Sequence, residues 1–161
     1  MKETTTGMIE EFRLFWKNYI FQSLLAALTT FIVLLLLSME HAVIIASIGA
    51  TAFIVFAMPT SITAKPGNVI GGHVVGLLCG SLCALIPQPS PLHSIIVYSL
   101  AVGLSFFIMV TVNVEHPPAS GTALGVAITG FSWNATIAVI TSAVVLSLAH
   151  HSLRPFLRDI T

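Results

Sequence analysis

Apolar residues do not alternate with polar ones along most of this chain; they run on in blocks. Phe21 to Met39 is broken only by Gln22, Ser23, Thr29, Thr30 and Ser38, and a run of that length predicts a helix that spans a bilayer. Val43 to Met58 forms a second block, which Pro59 ends before the loop "PTSITAKPGN". A third block, Val69 to Ile86, closes at "PQPSP", and a fourth runs from Ser94 to Val112. After "EHPP" comes a short piece, Ala119 to Gly130, then Trp133 to Ala149 and the polar tail "HHSLRPFLRDIT". Residues 1–19 behave differently. Met8, Ile9, Phe12, Phe15, Trp16 and Tyr19 recur at helical spacing with Glu10, Glu11, Arg13 and Lys17 mostly between them, which suits an amphipathic helix in the membrane interface, the favoured reading, and equally the wetted start of the first spanning helix. No small-residue cleavage site follows the first apolar run, so this stretch does not read as a secretion signal.

The fifth block is too short to cross alone. As a helix, Pro117–Phe131 reaches only about 22 Å at about 1.5 Å per residue, against a hydrocarbon core of roughly 30 Å. A short, broken segment of this kind is tolerated at membrane depth where protein covers it or where it lines a cavity.

Composition agrees with the membrane reading. The chain is 56% hydrophobic and only 7% charged, whereas soluble domains carry about a quarter charged residues. No Asp, Glu, Lys or Arg lies between Lys65 and Glu115, or between Glu115 and Arg154. The net charge of zero gives nucleic acid no basic surface to bind. Cys79 and Cys83 sit four apart in an apolar block and read as small core residues, so no metal site or cofactor is expected. With six crossings, all the basic residues fall on one side: Lys2, Arg13 and Lys17 before the first block, Lys65 after the second, Arg154 and Arg158 after the last. The positive-inside rule then places both termini in the cytoplasm.

The two halves echo one another. Glu40-His41 joins the first two blocks, and Glu115-His116 joins the fourth and fifth. Each pair is followed by a cluster of small residues, Gly49-Ala50-Thr51-Ala52 and Gly121-Thr122-Ala123-Leu124, the second starting three residues sooner after its histidine. The expected fold is therefore an all-α polytopic membrane protein of about six segments. Its single transmembrane domain, 20–150, divides into three-helix repeats at 20–86 and 94–150, flanked by the interfacial helix 1–19 and a cytoplasmic tail, 151–161. An odd number of crossings per repeat inverts one relative to the other, and in transporters such inverted repeats put the solute site near the midplane between them.

The chemistry concentrates at "NVEHPPASGTALG". Pro117 and Pro118 suit the first turn of a helix, where a missing N–H removes no bond. The following amides of Ala119, Ser120 and Gly121 are then expected to be unpaired and, with the helix dipole, to favour an anion. Ser120 and Thr122 add hydroxyls, and His116 adds a donor that becomes cationic when protonated. Gly49 and Thr51 from the first cluster, and His73 within "GGHVVG", join this candidate solute path. For His73 the favoured reading is a buried, hydrogen-bonded structural residue. Glu115, Glu40 and His41 are candidates for gating or proton coupling. His93, His150 and His151 read as interfacial. Gly72, Gly76 and Gly80 form one small-residue ridge and Gly121 with Gly125 another, which serve close helix packing within a protomer or between subunits.

Three motifs in order, "GATAFIVFAMP…KPGNVIGGH", "LAVGLSFFIMVTVN" and "EHPPASGTALG", resemble the HPP family of integral membrane proteins, named for the triplet found here as His116-Pro117-Pro118. The resemblance runs from the first block to the last. It departs at Lys65-Pro66-Gly67-Asn68, where members usually have Gln before the proline. Chloroplast and cyanobacterial members are linked to nitrite transport, so the resemblance implies a small-anion carrier or channel with nitrite the leading solute. With no transit peptide in view, a bacterial inner membrane is the expected location, with the lipid bilayer as partner and a homo-oligomer expected. The competing readings are a permease for another neutral or ionic solute and a non-transporting membrane scaffold subunit. An enzyme is not expected, since no Ser/His/Asp set or HExxH motif occurs.

Overall fold

A computed structural model describes residues 2–36 and 42–160, and the described residues are helical with no strand. The six helices are α1 (Lys2–Leu36), α2 (Ala42–Ala57), α3 (Pro66–Ala84), α4 (Pro91–Thr111), α5 (Pro118–Thr129) and α6 (Trp133–Leu153). Single 3-10 turns lie at Ile62–Ala64 and Arg154–Phe156. Each apolar block of the sequence has become one helix. Glu40 and His41, candidates for gating or proton coupling, lie outside the described residues.

The punctuation is local. α3 and α4 each start on a proline whose fixed φ suits the first turn, after Lys65 and Ser90 in extended conformations. α6 starts at Ser132, whose Oγ accepts from the Ala135 amide at 3.4 Å. α5 stops at Gly130, where φ is +79°, a conformation that glycine adopts without cost. The expected separate helix over 1–19 is instead continuous with the first spanning block. Nothing between Gly7 and Leu36 breaks a helix, and α1 runs for 35 residues, roughly 50 Å at about 1.5 Å per residue. α3, α4 and the α6 region (Trp133–Phe156) are each long and apolar enough to cross a membrane.

α5 is the innermost helix, packed against α2, α3 and α4, while α1 lies against α2 and α6 on the outside. Glycine sets these distances. A methyl group on Gly76 would sit 2.4 Å from the Ala119 carbonyl oxygen, and one on Gly80 would sit 2.5 Å from that of Ala123. On the other side of α5, Gly121 and Gly125 meet Ser47 and Ile44 of α2. Both glycine ridges are thus spent inside the protomer, holding α5 between α2 and α3 at distances that Cβ atoms would forbid. Around them Ile44, Ile48, Phe56, Val69, Val139 and Leu146 form one apolar core. Cys79, Cys83, Val97, Ala101, Ala123 and Ala127 form a second between α3, α4 and α5. Leu24, Phe31, Leu78, Phe106, Phe107 and Leu148 point outward. An apolar exterior around a polar-studded core is the arrangement that lipid, not water, selects.

The C-terminal segment is not a free polar tail. The Ile160 amide donates to Ala57 O at 3.0 Å and the Thr60 amide to Asp159 Oδ1 at 3.1 Å. Buried Gln22 of α1 donates to Phe56 O at 2.6 Å and to Arg158 O at 2.8 Å. His150, in the last turn of α6, is buried too, and its Nε2 lies 2.8 Å from Pro59 O. His93 and His151 are exposed.

Candidate functional site

Ser47 and Thr51 lie one turn apart on α2, so their side chains share a face, and that face packs on α5 and reaches His73 of α3 through Thr51. Opposite them α3 presents His73, and the chain entering α5 presents His116. Close approach is possible because Gly72 precedes His73. A Cβ on Gly72 would stand 2.6 Å from the His116 Cβ. All four side chains, and Thr122 of α5, are buried.

The polar atoms find one another. His116 Nε2 and His73 Nε2 lie 2.9 Å and 3.0 Å from the same Thr51 Oγ1. The rings are tilted by 58° with centroids 5.2 Å apart. His116 Nδ1–H donates to Thr63 O at 2.8 Å, in the turn that follows α2. His73 Nδ1 lies 2.9 Å from Thr122 Oγ1, which lies 2.9 Å from Ser47 Oγ. The Ser47 hydroxyl in turn donates to Pro118 O. Thr51 Oγ1 also reaches Ser47 O, 3.1 Å away on its own helix. Asn68 Nδ2 donates to Glu115 O at 3.2 Å and ties the first turn of α3 to the connection before the triplet.

Of the residues expected at the site, His116, His73, Thr51 and Thr122 therefore converge. Pro118 contributes its carbonyl, and Gly121 packs on Ser47. Ala119 is buried against Gly72 and Gly76 and serves packing. Gly49 does not join them, since a Cβ there would meet nothing within 4 Å. Ser120 faces α4, where its hydroxyl pairs with that of Ser105 at 3.2 Å. The expected cradle of free amides is corrected as well. The Ala119 amide donates to His116 O at 2.9 Å and the Ser120 amide to Pro117 O at 3.1 Å. Pro117 is already helical, with φ −50° and ψ −40°, so the preceding carbonyls absorb these donors.

Beside this polar chain a cleft of about 170 Å³ opens between α4 and the start of α5. Phe106, Met109 and Val110 line its apolar side; Glu115, His116, Pro117 and Ser120 line the other. No group of three or more His, Cys, Asp or Glu able to hold a metal occurs among the described residues. Ser47 is a site residue that sequence reading passed over, although its spacing of four from Thr51 was a usable signal. Thr63 gave no such signal, because it contributes only a backbone oxygen.

A family model described as "HPP, transmembrane region" matches residues 13–154. The chain is also similar to two transmembrane proteins of Dictyostelium discoideum. One is 35% identical over 106 residues, which is 62% of this chain and 37% of the relative. The other is 29% identical over 106 residues, 60% of this chain and 34% of that relative. The matched region thus spans about a third of the length of these curated relatives. No solved structure matches the chain.

Proposed function

The chain belongs to the HPP family of integral membrane proteins, and on that premise we propose that it is a transporter or channel for a small anion, nitrite first among the candidates. The observation that carries this is the buried, hydrogen-bonded chain of two imidazoles and three hydroxyls inside the helix bundle. Polar groups at membrane depth are costly and mark solute or proton paths. The cleft against His116 and Ser120 gives a solute of nitrite's size a place to rest beside that chain. With the amides of Ala119 and Ser120 engaged, side chains rather than backbone would hold the anion.

An inverted-repeat design is supported by the direct packing of α2 on α5, where Ser47, just before the first small-residue cluster, meets Gly121 and Thr122 of the second. In that design six crossings place both termini and the Glu115-His116 corner in the cytoplasm of a bacterial cell. Since both glycine ridges are used within the protomer, a homo-oligomer would form through the apolar outer faces.

The test is nitrite flux into proteoliposomes, wild type beside His116→Ala. Flux that collapses in the variant supports an anion path at the triplet. Flux that survives makes His116 structural. A folded, inserted wild type that moves no nitrite above protein-free vesicles sinks the nitrite assignment.

A further inference from the structure

Six hydrogen bonds link Thr63 to Pro118 without a gap. They run from Thr63 O to His116 Nδ1, His116 Nε2 to Thr51, Thr51 to His73 Nε2, His73 Nδ1 to Thr122, Thr122 to Ser47, and Ser47 to Pro118 O. Both ends are carbonyl oxygens, which only accept. Every link needs one proton, yet the five side chains between the ends carry only one apiece when neutral. The chain is one proton short.

The shortage has an address. From one end, the Thr63 carbonyl requires a proton on His116 Nδ1, which leaves His116 Nε2 bare. From the other, Pro118 O takes the Ser47 proton, Ser47 takes that of Thr122, and Thr122 takes that of His73 Nδ1, which leaves His73 Nε2 bare. Two bare nitrogens then face the single Thr51 hydroxyl. One of the two links is empty, and both are when Thr51 donates to Ser47 O instead.

We infer that His116, Thr51 and His73 form a binding site for one proton, shared between the two imidazoles through the Thr51 hydroxyl. With the proton on His116 Nε2, Thr51 accepts it and donates its own to His73 Nε2. Passing both protons along reverses the arrangement and leaves the imidazolium on His73. No bond other than N–H and O–H forms or breaks, and the added proton comes from water.

Surrounding charges leave room for this cation. The described parts of α2 and α5 hold no titratable side chain, and α3 adds only Cys79 and Cys83, in the apolar core it shares with α4. α4 carries His93 and Tyr98; α6 carries His150, bonded to Pro59, and exposed His151; Lys65 is exposed beyond the 3-10 turn. Glu115 is the described carboxylate that lines the same cleft as His116. Burial opposes a lone charge, so an anion in the cleft and a proton on the pair stabilise one another, and each binds better when the other is present. This last step rests on the transport reading; the proton site does not.

The experiment is ring-nitrogen NMR of protein labelled with 15N-histidine, in micelles, titrated from about pH 8 to about pH 5, with and without sodium nitrite. The expected result is one proton gained jointly by His73 and His116 at a common midpoint, which nitrite raises. Thr51→Ser keeps the shared midpoint, and Thr51→Val abolishes it. Two full protons at separate midpoints in the wild type, or two neutral rings throughout with and without nitrite, would overturn the proposal. If Thr51→Val does not fold, the wild-type shifts decide alone. A shared proton with no nitrite flux would sink the nitrite assignment and leave the proton site standing; flux with both rings neutral would do the reverse.

Discussion

Replacing Gly76 by alanine tests the claim that glycine, and not side-chain packing in general, sets the distance between α3 and α5. The added Cβ would lie 2.4 Å from the Ala119 carbonyl oxygen, 3.3 Å from its carbonyl carbon and 3.4 Å from the Ala123 nitrogen. Ordinary contact begins near 3.4 Å, so the helices must part locally by about 1 Å. The obstacle is backbone and has no rotamer in which to escape. Nor has α5 room to retreat, since Gly121 and Gly125 already bring it against Ser47 and Ile44 of α2. Overpacking of this kind costs about 1–3 kcal/mol, while alanine in a helix interior recovers up to about 1 kcal/mol relative to glycine. Gly103 of α4 supplies the control, for a Cβ there meets nothing within 4 Å. Both variants share the helix-propensity gain, so the stability gap between them isolates the clash at about 1–3 kcal/mol. Reversible unfolding in mixed micelles, followed by circular dichroism, measures the gap. A Gly76→Ala protein as stable as Gly103→Ala would refute the reasoning.

Two further predictions follow from the same packing. Cys79 and Cys83 are buried, unpaired thiols, so neither is labelled by a maleimide in the folded protein in micelles, and both are labelled after denaturation in SDS. Labelling at the native rate of an exposed cysteine would contradict their place between α3 and α4. Gln22→Ala removes the donor that Phe56 O and Arg158 O share and costs about 1–3 kcal/mol locally. The Ile160 amide, which donates to Ala57 O, then exchanges with solvent roughly ten- to a hundredfold faster in hydrogen-exchange measurements; unchanged exchange would show that Gln22 does not hold the tail.

The sequence by itself determined the six helices and most of their ends. Long uncharged blocks have one low-energy fate in lipid, and Pro66, Pro91, Pro118, Ser132 and Gly130 mark boundaries by properties of their own backbones. It also singled out His116 and the residues around it as the candidate site, because an ionisable group amid apolar blocks stands out. It left open the use of the glycine ridges, the packing of the tail and the partner of His150, and it misread the helix-start amides as free. The amides bond the carbonyls just before them, whereas the other contacts depended on partners far along the chain: His150 meets a carbonyl 91 residues away, and His116 meets Thr51 at a separation of 65 and Thr63 at 53. Only the tertiary structure could decide such contacts, since a carbonyl oxygen is the same in every residue and acquires a role from where the fold puts it. The proton deficit at Thr51 has the same origin. No residue type predicts it; it arises because folding closes a run of hydroxyls and imidazoles between two acceptors.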